Sequence, residues 1–484
     1  MDEPAAAASN TAAAVTNTAS AATGEAPTST ATPTSTATPT GAAPDAERRL
    51  FSPPAGPIVG WVDGDLVRAT GIRYAVAERF EKPRPAPDHT EPFSADRWAP
   101  ACPQNSNEEG DRLFSPLLRN LDETEHCQFL SVTAPADAVP GEDLPVIVWI
   151  HGGSNVNGCG DSSLTDPGTL VREQRVVAVT VTYRLGVLGY LGADGRPHNL
   201  GLLDQAEALR WVRRNIAAFG GDPSAVTALG ESAGADAIAH LLAAFPDEPL
   251  MDRAILESAP LGSRRERARL VPLVASALSG LNEASSLEEI LAAEAVIRRS
   301  VMRPQAGTAV AMPFGVQYGH DPLPEEGEVE AAWRRVAPRV PILVTTMADE
   351  MRLFSRSLPV GARVGQGSRL GVAALDRVER WADRTVFTRG ADELTALWRD
   401  AGGCALRCEI PWRAPGNLFG SAHGLDVLLQ FGSREIWEQG LLLRGSRWED
   451  YVRAGQVLRA YIGEFARGGD PGPGEAGIIE RREV

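Results

Sequence analysis

Between an apolar run, Val226-Thr-Ala-Leu229, and an Ala/Leu-rich stretch, Ala235 to Ala244, the chain carries Gly230-Glu231-Ser232-Ala233-Gly234. No other feature restricts the fold as much. A buried strand has to turn into a buried helix within five residues. The two glycines allow the close, strained approach of strand and helix that this requires. In that setting the serine hydroxyl stands exposed at the top of a sheet, as a nucleophile elbow demands. The pentapeptide alone arises by chance in a Gly-rich chain, and it is the strand before it and the helix after it that give it meaning.

The surrounding chain repeats the alternation. Val146 to Ile150, Val176 to Thr182, Val226 to Leu229 and Val340 to Val344 are short apolar runs that read as buried strands, with helix-like segments between them. Strands covered by helices on both faces make an α/β fold, and in such a fold reactive groups collect where strands end and loops begin.

A serine hydroxyl needs a base, and in this kind of fold the order along the chain is Ser, then acid, then His. Of seven histidines, His89, His126, His151 and His198 precede Ser232, and His240 lies one helix beyond it. That leaves His320 and His423. No acid at the end of a strong strand comes before His320. His423 follows the run Ala405 to Ile410 and a Pro/Gly-rich loop, so it sits where a strand gives way to a loop. The strand Val340 to Val344 opens into Thr345-Thr-Met-Ala-Asp349-Glu350, and spacing leaves both carboxylates open as the group that orients the imidazole. For an oxyanion, His151-Gly152-Gly153-Ser154 after Ile150 offers backbone N–H groups, with the amide of Ala233 as their partner.

Composition limits the alternatives. A net charge of −16 and a pI near 5.0 work against nucleic acid and anionic membranes as partners. No stretch approaches the roughly 18 consecutive apolar residues of a membrane span. Cys404 and Cys408 are expected to be buried small apolar side chains, since four residues of strand separate them by about 13 Å, too far for a disulfide. Residues 1–54 are an Ala/Thr/Pro-rich tail with a repeated Pro-Thr-Ser-Thr-Ala-Thr, expected to be disordered. Residues 55–475 form the folded domain, and 476–484 a charged C-terminal tail. The acidic start Met1-Asp2-Glu3 lacks the form of a secretory signal and favours a cytoplasmic location.

These residues resemble the type-B carboxylesterase family, the group that contains the cholinesterases. The resemblance runs from about Gly56 to Pro473 through Gly71-Ile-Arg-Tyr-Ala75, Ala101-Cys-Pro-Gln104, Thr124-Glu-His-Cys127, Tyr183-Arg-Leu-Gly186, Asn199-Leu-Gly-Leu-Leu-Asp204-Gln205 and Phe219-Gly-Gly-Asp-Pro223. It implies an α/β-hydrolase fold, a mostly parallel twisted sheet with helices on both faces. It implies Glu350 as the acid beside Ser232 and His423, and the amides of Gly153, Ser154 and Ala233 as the oxyanion hole. Gly152, Glu231 and Ser258 take supporting roles. It further implies ion pairs Arg79–Glu125 and Arg184–Asp204, and a disulfide between Cys102 and Cys127, which points to an oxidising compartment against the missing signal.

The chain departs from the family where Ser154-Asn155 replaces a small residue and an aromatic, where Met351 replaces a glycine, and where the segment from Glu350 to His423 is short, so a reduced helical cap is expected. The function implied is hydrolysis of a small carboxylic ester through an acyl-enzyme, without metal or cofactor. A catalytically silent binding member of the same fold is the rival from another class. An amide, carbamate or thioester hydrolase would use the same triad.

Overall fold

The computed structural model describes residues 41–43, 45–114, 121–190, 192, 195–266, 274, 280–301, 312 and 314–484. A 13-stranded mixed sheet runs through it. Its centre is five adjacent parallel strands, in the order Leu144–Ile150, Gly221–Glu231, Arg253–Glu257, Ile342–Met347 and Ala405–Ile410, with Val177–Thr182 parallel on the outer side of the first. Antiparallel strands extend both ends: Phe129–Pro135, Leu66–Arg73, Ile58–Asp63 and Arg48–Phe51 on one side, Ile479–Arg481 and Gly474–Glu475 on the other.

The central strands are apolar along most of their length because both faces are covered. Val146, Val148 and Ile150 enter one core, with the helices Leu200–Asn215 and Ala233–Ala244. Ile147 and Trp149, the residues between them, enter a second core with Gly168–Gln174, Leu425–Phe431 and Trp448–Ala466. Successive side chains of a strand point to opposite faces, so Val-Ile-Val-Trp-Ile feeds both cores at once. Among the described residues, no helix is long and apolar enough to cross a membrane.

The folded region reaches further than its composition suggests. Arg48–Phe51 pairs with Ile58–Asp63, inside the expected N-terminal tail, and Leu50 is exposed while Phe51 is buried. Ile479–Arg481 pairs with Ala405–Ile410, inside the expected C-terminal tail, with Ile479 fully buried. In each case one buried apolar side chain anchors a short, largely charged strand at or next to the margin of the sheet. The expected disorder of residues 1–40 lies outside the described residues.

The elbow strand begins at Gly221, five residues before its apolar run, with a register shift between Gly221 and Val226. Cys408 is buried as expected, but Cys404 precedes its strand and is exposed, which corrects that expectation. The expected disulfide is also corrected: Cys102 and Cys127 are both free, buried thiols, hydrogen-bonded to each other. Burial holds the Cys102 thiol well above its ordinary range, which disfavours the thiolate that oxidation requires.

Both expected ion pairs form. Arg79 donates to Glu125 at 2.7 Å near the surface. Arg184 grips Asp204 through two guanidinium bonds of 2.8 and 2.7 Å, while its own backbone N–H donates to the same carboxylate at 3.1 Å. The second pair is buried on both sides. Asp204→Ala leaves the guanidinium uncompensated and is expected to destabilise the fold by about 3–5 kcal/mol, read as a lowered midpoint of thermal unfolding; Glu125→Ala, at the more exposed pair, is expected to shift it far less.

Candidate active site

The parallel register brings five strand ends to one edge of the sheet. Gly230 stands opposite Ile150, Glu231 opposite Glu257, Glu257 opposite Thr345, and Thr345 opposite Cys408. The glycine loop, Ser232, Ser258 and the acid loop follow closely on four of these ends, and His423 lies on the long loop that leaves the fifth.

Ser232 occupies the sharp turn with φ 55° and ψ −119°, a conformation costly for a side chain bearing a Cβ. Two backbone bonds hold it there: its N–H donates to Glu257 O at 2.8 Å, and its carbonyl accepts from Asp236 N at 2.9 Å inside the following helix. The flanking glycines are required by contact. A Cβ at Gly230 would lie 2.6 Å from the Gly234 carbonyl carbon, and one at Gly234 would run into Ile150 O on the neighbouring strand.

His423 Nε2 lies 2.8 Å from Ser232 Oγ, and Nδ1 lies 2.6 Å from Glu350 Oε2. The other oxygen of Glu350 accepts from Met347 N at 2.8 Å, so the carboxylate is anchored at one end and faces the imidazole at the other. A carboxylate at Nδ1 fixes the ring proton on that nitrogen and leaves Nε2 as the acceptor for the serine hydroxyl. Asp349, the alternative left open by spacing, turns away. It accepts from Ser421 N at 3.1 Å and pairs with Arg352 at 3.2 Å. The acid loop and the histidine loop are joined by backbone as well, Asp349 N donating to Ser421 O at 2.9 Å.

Gly153, Ser154 and Asn155 all have positive φ, and this turns the loop after Leu144–Ile150 back over the elbow. Gly152 abuts Glu231 and Ser232 so closely that a Cβ there would lie 2.6 Å from Glu231 Oε2. Asn155 supports the loop by donating to Phe314 O at 3.2 Å, while Gly186 N donates back to Asn155 O at 2.6 Å. Ala233 opens the helix Ala233–Ala244, so its N–H is among the first-turn donors without an intrahelical acceptor. His151 is not a second base. Burial lowers it to about 4, its Nδ1 faces Gly152 O at 2.8 Å, and its ring stacks on Tyr183. His320, the other histidine in the required order, stacks on His198 instead of joining the site.

Ser258 is buried with φ 50°, its N–H donating to Thr345 O at 2.9 Å. Its position ties the elbow's neighbouring strand to the strand that carries the acid. Phe354 and Phe387 flank the His423 ring at 5.3 and 5.0 Å between centroids, and Phe114 lies against Gly424.

A feature that motif reasoning reached only in part is the company His423 keeps. Glu231 Oε1 lies 3.1 Å from His423 Nε2, on the side where Ser232 also approaches. Burial, with Asp426 and Glu350 nearby, raises the Glu231 carboxyl to about 8 although His423 pulls it down. Asp426, also buried and close to Glu350, is raised to about 7. Glu257 is pushed well up by burial and by Asp426, and accepts a bond from Gln430. His423 would be lowered by burial, but Glu231 and Glu350 outweigh this and raise it to about 9. Glu231 and His423 therefore compete for one proton. When Glu231 holds it, the imidazole is left neutral for the serine. The signal for Asp426 was its position three residues after His423, on the first turn of Leu425–Phe431; nothing in the sequence near Glu257 marks it.

A second unforeseen support is Asp383. Its carboxylate accepts from Met351 N at 2.6 Å, directly after Glu350, where Met351 replaces the glycine usual in the family. Burial raises this carboxyl to about 7, with Glu350 and Asp349 adding to the rise.

The sequence profile described as the carboxylesterase family matches residues 63–369. A probable N-octanoylanthranilate hydrolase of Rhodococcus erythropolis is 36% identical over 424 residues, 86% of this chain and 92% of that protein. The para-nitrobenzyl esterase of Bacillus subtilis is 36% identical over 312 residues, 62% of each chain. Among solved structures, a thermophilic PNB esterase superposes with a TM-score of 0.73 at 27% identity, covering 90% of this chain and 93% of that one.

Glu231→Gln removes the anion that holds His423 up, so the imidazole should lose its proton at lower pH. The ascending limb of kcat/KM is expected to move to lower pH by about one unit; a pH–rate profile with that limb unmoved would mean the pair does not set the state of the base.

Proposed function

The chain belongs to the carboxylesterase family, and we propose that it hydrolyses a small carboxylic ester through an acyl-enzyme on Ser232, with His423 as base and then acid, oriented by Glu350. The observation that carries this reading is the continuous relay from Ser232 Oγ through both nitrogens of His423 to Glu350, at 2.8 and 2.6 Å.

His423 takes the Ser232 proton on Nε2 as Oγ attacks the acyl carbon, and the buried Glu350 carboxylate stabilises the imidazolium. The oxyanion forms against the amides of Gly153, Ser154 and Ala233, donors fixed by backbone geometry and needing no reorganisation as charge develops. Collapse of the tetrahedral intermediate expels the alcohol, which leaves with the proton from Nε2. Water then enters, gives its proton to Nε2, and attacks the acyl carbon. A second collapse frees the acid and restores Ser232. Phe114, Phe354 and Phe387 supply apolar surface beside the imidazole, which suits an uncharged acyl or alcohol group.

A second reading has one specific support. The relative named for N-octanoylanthranilate is similar over nearly its whole length, and an N-octanoyl group is joined to its aromatic amine by an amide bond. The same triad cleaves an aryl amide if His423 delivers its proton to the leaving nitrogen. Comparing p-nitrophenyl octanoate with N-octanoylanthranilate at matched concentration separates the two preferences.

Ser232→Ala is expected to fold and to lower ester turnover by several orders of magnitude, and to abolish covalent labelling by a fluorophosphonate probe. A native chain that takes no label at Ser232 would favour a silent binding protein. Glu350→Gln is expected to cost roughly 10⁴-fold in kcat by fixing the wrong tautomer, with the labelling rate falling in parallel.

A further inference from the structure

The helix Arg369–Asp383 is built the wrong way round for a helix packed on a protein core. Its acidic side chains face inward. Glu379 and Asp376 bind Arg356 at 2.7 and 2.5 Å, Asp376 also lies 3.5 Å from Arg352, and Asp383 holds Met351 N. Its apolar side chains face out: Leu370 is 85% exposed, Trp381 63% and Val378 61%. Positions 370, 374, 378 and 381 follow helical spacing, so Leu370, Ala374, Val378 and Trp381 form one stripe. Leu358 and Val360, at the start of the preceding helix Pro359–Gly365, are exposed as well. Of the nine large apolar side chains that are exposed among the described residues, five fall between Leu358 and Trp381. Scattered exposed apolar residues are ordinary; a contiguous stripe marks a surface that something covers.

The charges around the stripe identify what covers it. Arg363, Arg369, Arg377, Arg380, Arg384 and Arg389 are all exposed, whereas the three acids of the helix are turned inward onto the Arg352 and Arg356 region. On a chain of net charge −16 this is a local reversal of sign. Screening confines the effect of distant acids to about 8 Å at physiological salt, so a surface meeting this helix senses the arginines first. A second copy of the chain brought face to face would set arginines against arginines. The first 40 residues, rich in Ala, Thr, Ser and Pro, offer almost no large apolar side chains with which to cover the stripe.

We propose that Arg369–Asp383 is an interfacial helix that seats the enzyme on an anionic lipid surface, Leu370, Val378 and Trp381 entering the headgroup boundary while Arg377 and Arg380 meet the phosphates. The placement relative to the chemistry is direct, since the inward face of the helix holds the loop that follows Glu350. An ester carried in the lipid surface is then presented beside the loop that positions the catalytic acid. The proposal concerns binding and does not depend on which bond is cleaved.

The test is co-sedimentation of the full chain with phosphatidylcholine vesicles, with and without phosphatidylglycerol. Wild type is expected to bind the anionic vesicles, to shift its tryptophan emission to shorter wavelength on binding, and to be released by high salt. Leu370→Glu with Trp381→Glu is expected to weaken binding by roughly tenfold or more, with hydrolysis of soluble p-nitrophenyl acetate unchanged as the check on folding and on the catalytic reading. Arg377→Gln with Arg380→Gln is expected to weaken binding to the anionic vesicles alone. No binding by wild type, or equal binding by the first variant, overturns the proposal. So does light scattering that finds a wild-type dimer and a monomeric Leu370→Glu/Trp381→Glu protein, which would make the stripe a contact between copies.

Discussion

The structure depends on holding one serine in a conformation that its own backbone resists. At φ 55° and ψ −119°, Ser232 persists because strands on either side fix the turn: Glu257 O accepts its N–H, and Ile150 O lies where any side chain at Gly234 would have to go. The energy for this comes from the two cores, which bury alternate residues of the same strands. Parallel register turns that local strain into a site. Five loops that are far apart in sequence leave the sheet at the same level, and so Ser232, His423, Glu350 and the turn at Gly152 are brought together.

Polar connections between these loops then define distances to tenths of an ångström. The acid loop and the histidine loop leave adjacent strands and are tied by Asp349 N to Ser421 O and by Ser421 N to the Asp349 side chain. This gives Asp349 a structural task that explains why two carboxylates stand side by side at the strand end: one locks the loops together and the other faces the imidazole. Asp383, reaching in from the helix Arg369–Asp383, caps the next amide. Glu350 is thus held from the sheet through Met347 N, while the loop around it is held from the neighbouring loop and from the outer helical layer.

Much of this was legible from residues alone, and the pattern of success has a physical basis. Strands buried on both faces are largely apolar runs, so Leu144–Ile150 and Val177–Thr182 could be seen within two residues at either end. The elbow and the order of the triad are local or topological, and each leaves a short signature. Short strands at the margins of the sheet do not. Arg48–Phe51 and Ile479–Arg481 each keep only one or two inward side chains, and their charged remainder reads as tail. The buried acids were hidden for a different reason: Glu257 is unremarkable in sequence and Asp426 is marked only by its nearness to His423, and it is the packing of one strand end against one helix start that brings the two together. The nearness of Cys102 and Cys127 came from the family resemblance, which implied a disulfide where the structure has two free cysteines.

That acid cluster has a consequence for the molecule as a whole. A formal charge of −16 counts every carboxylate as ionised at pH 7. Asp426 and Asp383, raised to about 7, and Glu257, held well above the usual carboxylate range, keep protons there that the count has removed, while Glu231 and His423 share one between them. The catalytic centre is therefore buffered from within, and an acid product released there meets groups already exchanging protons at neutral pH. Folding thus carries a few carboxyl titrations from acid pH up toward neutrality, where the unfolded chain has little besides its seven histidines to titrate.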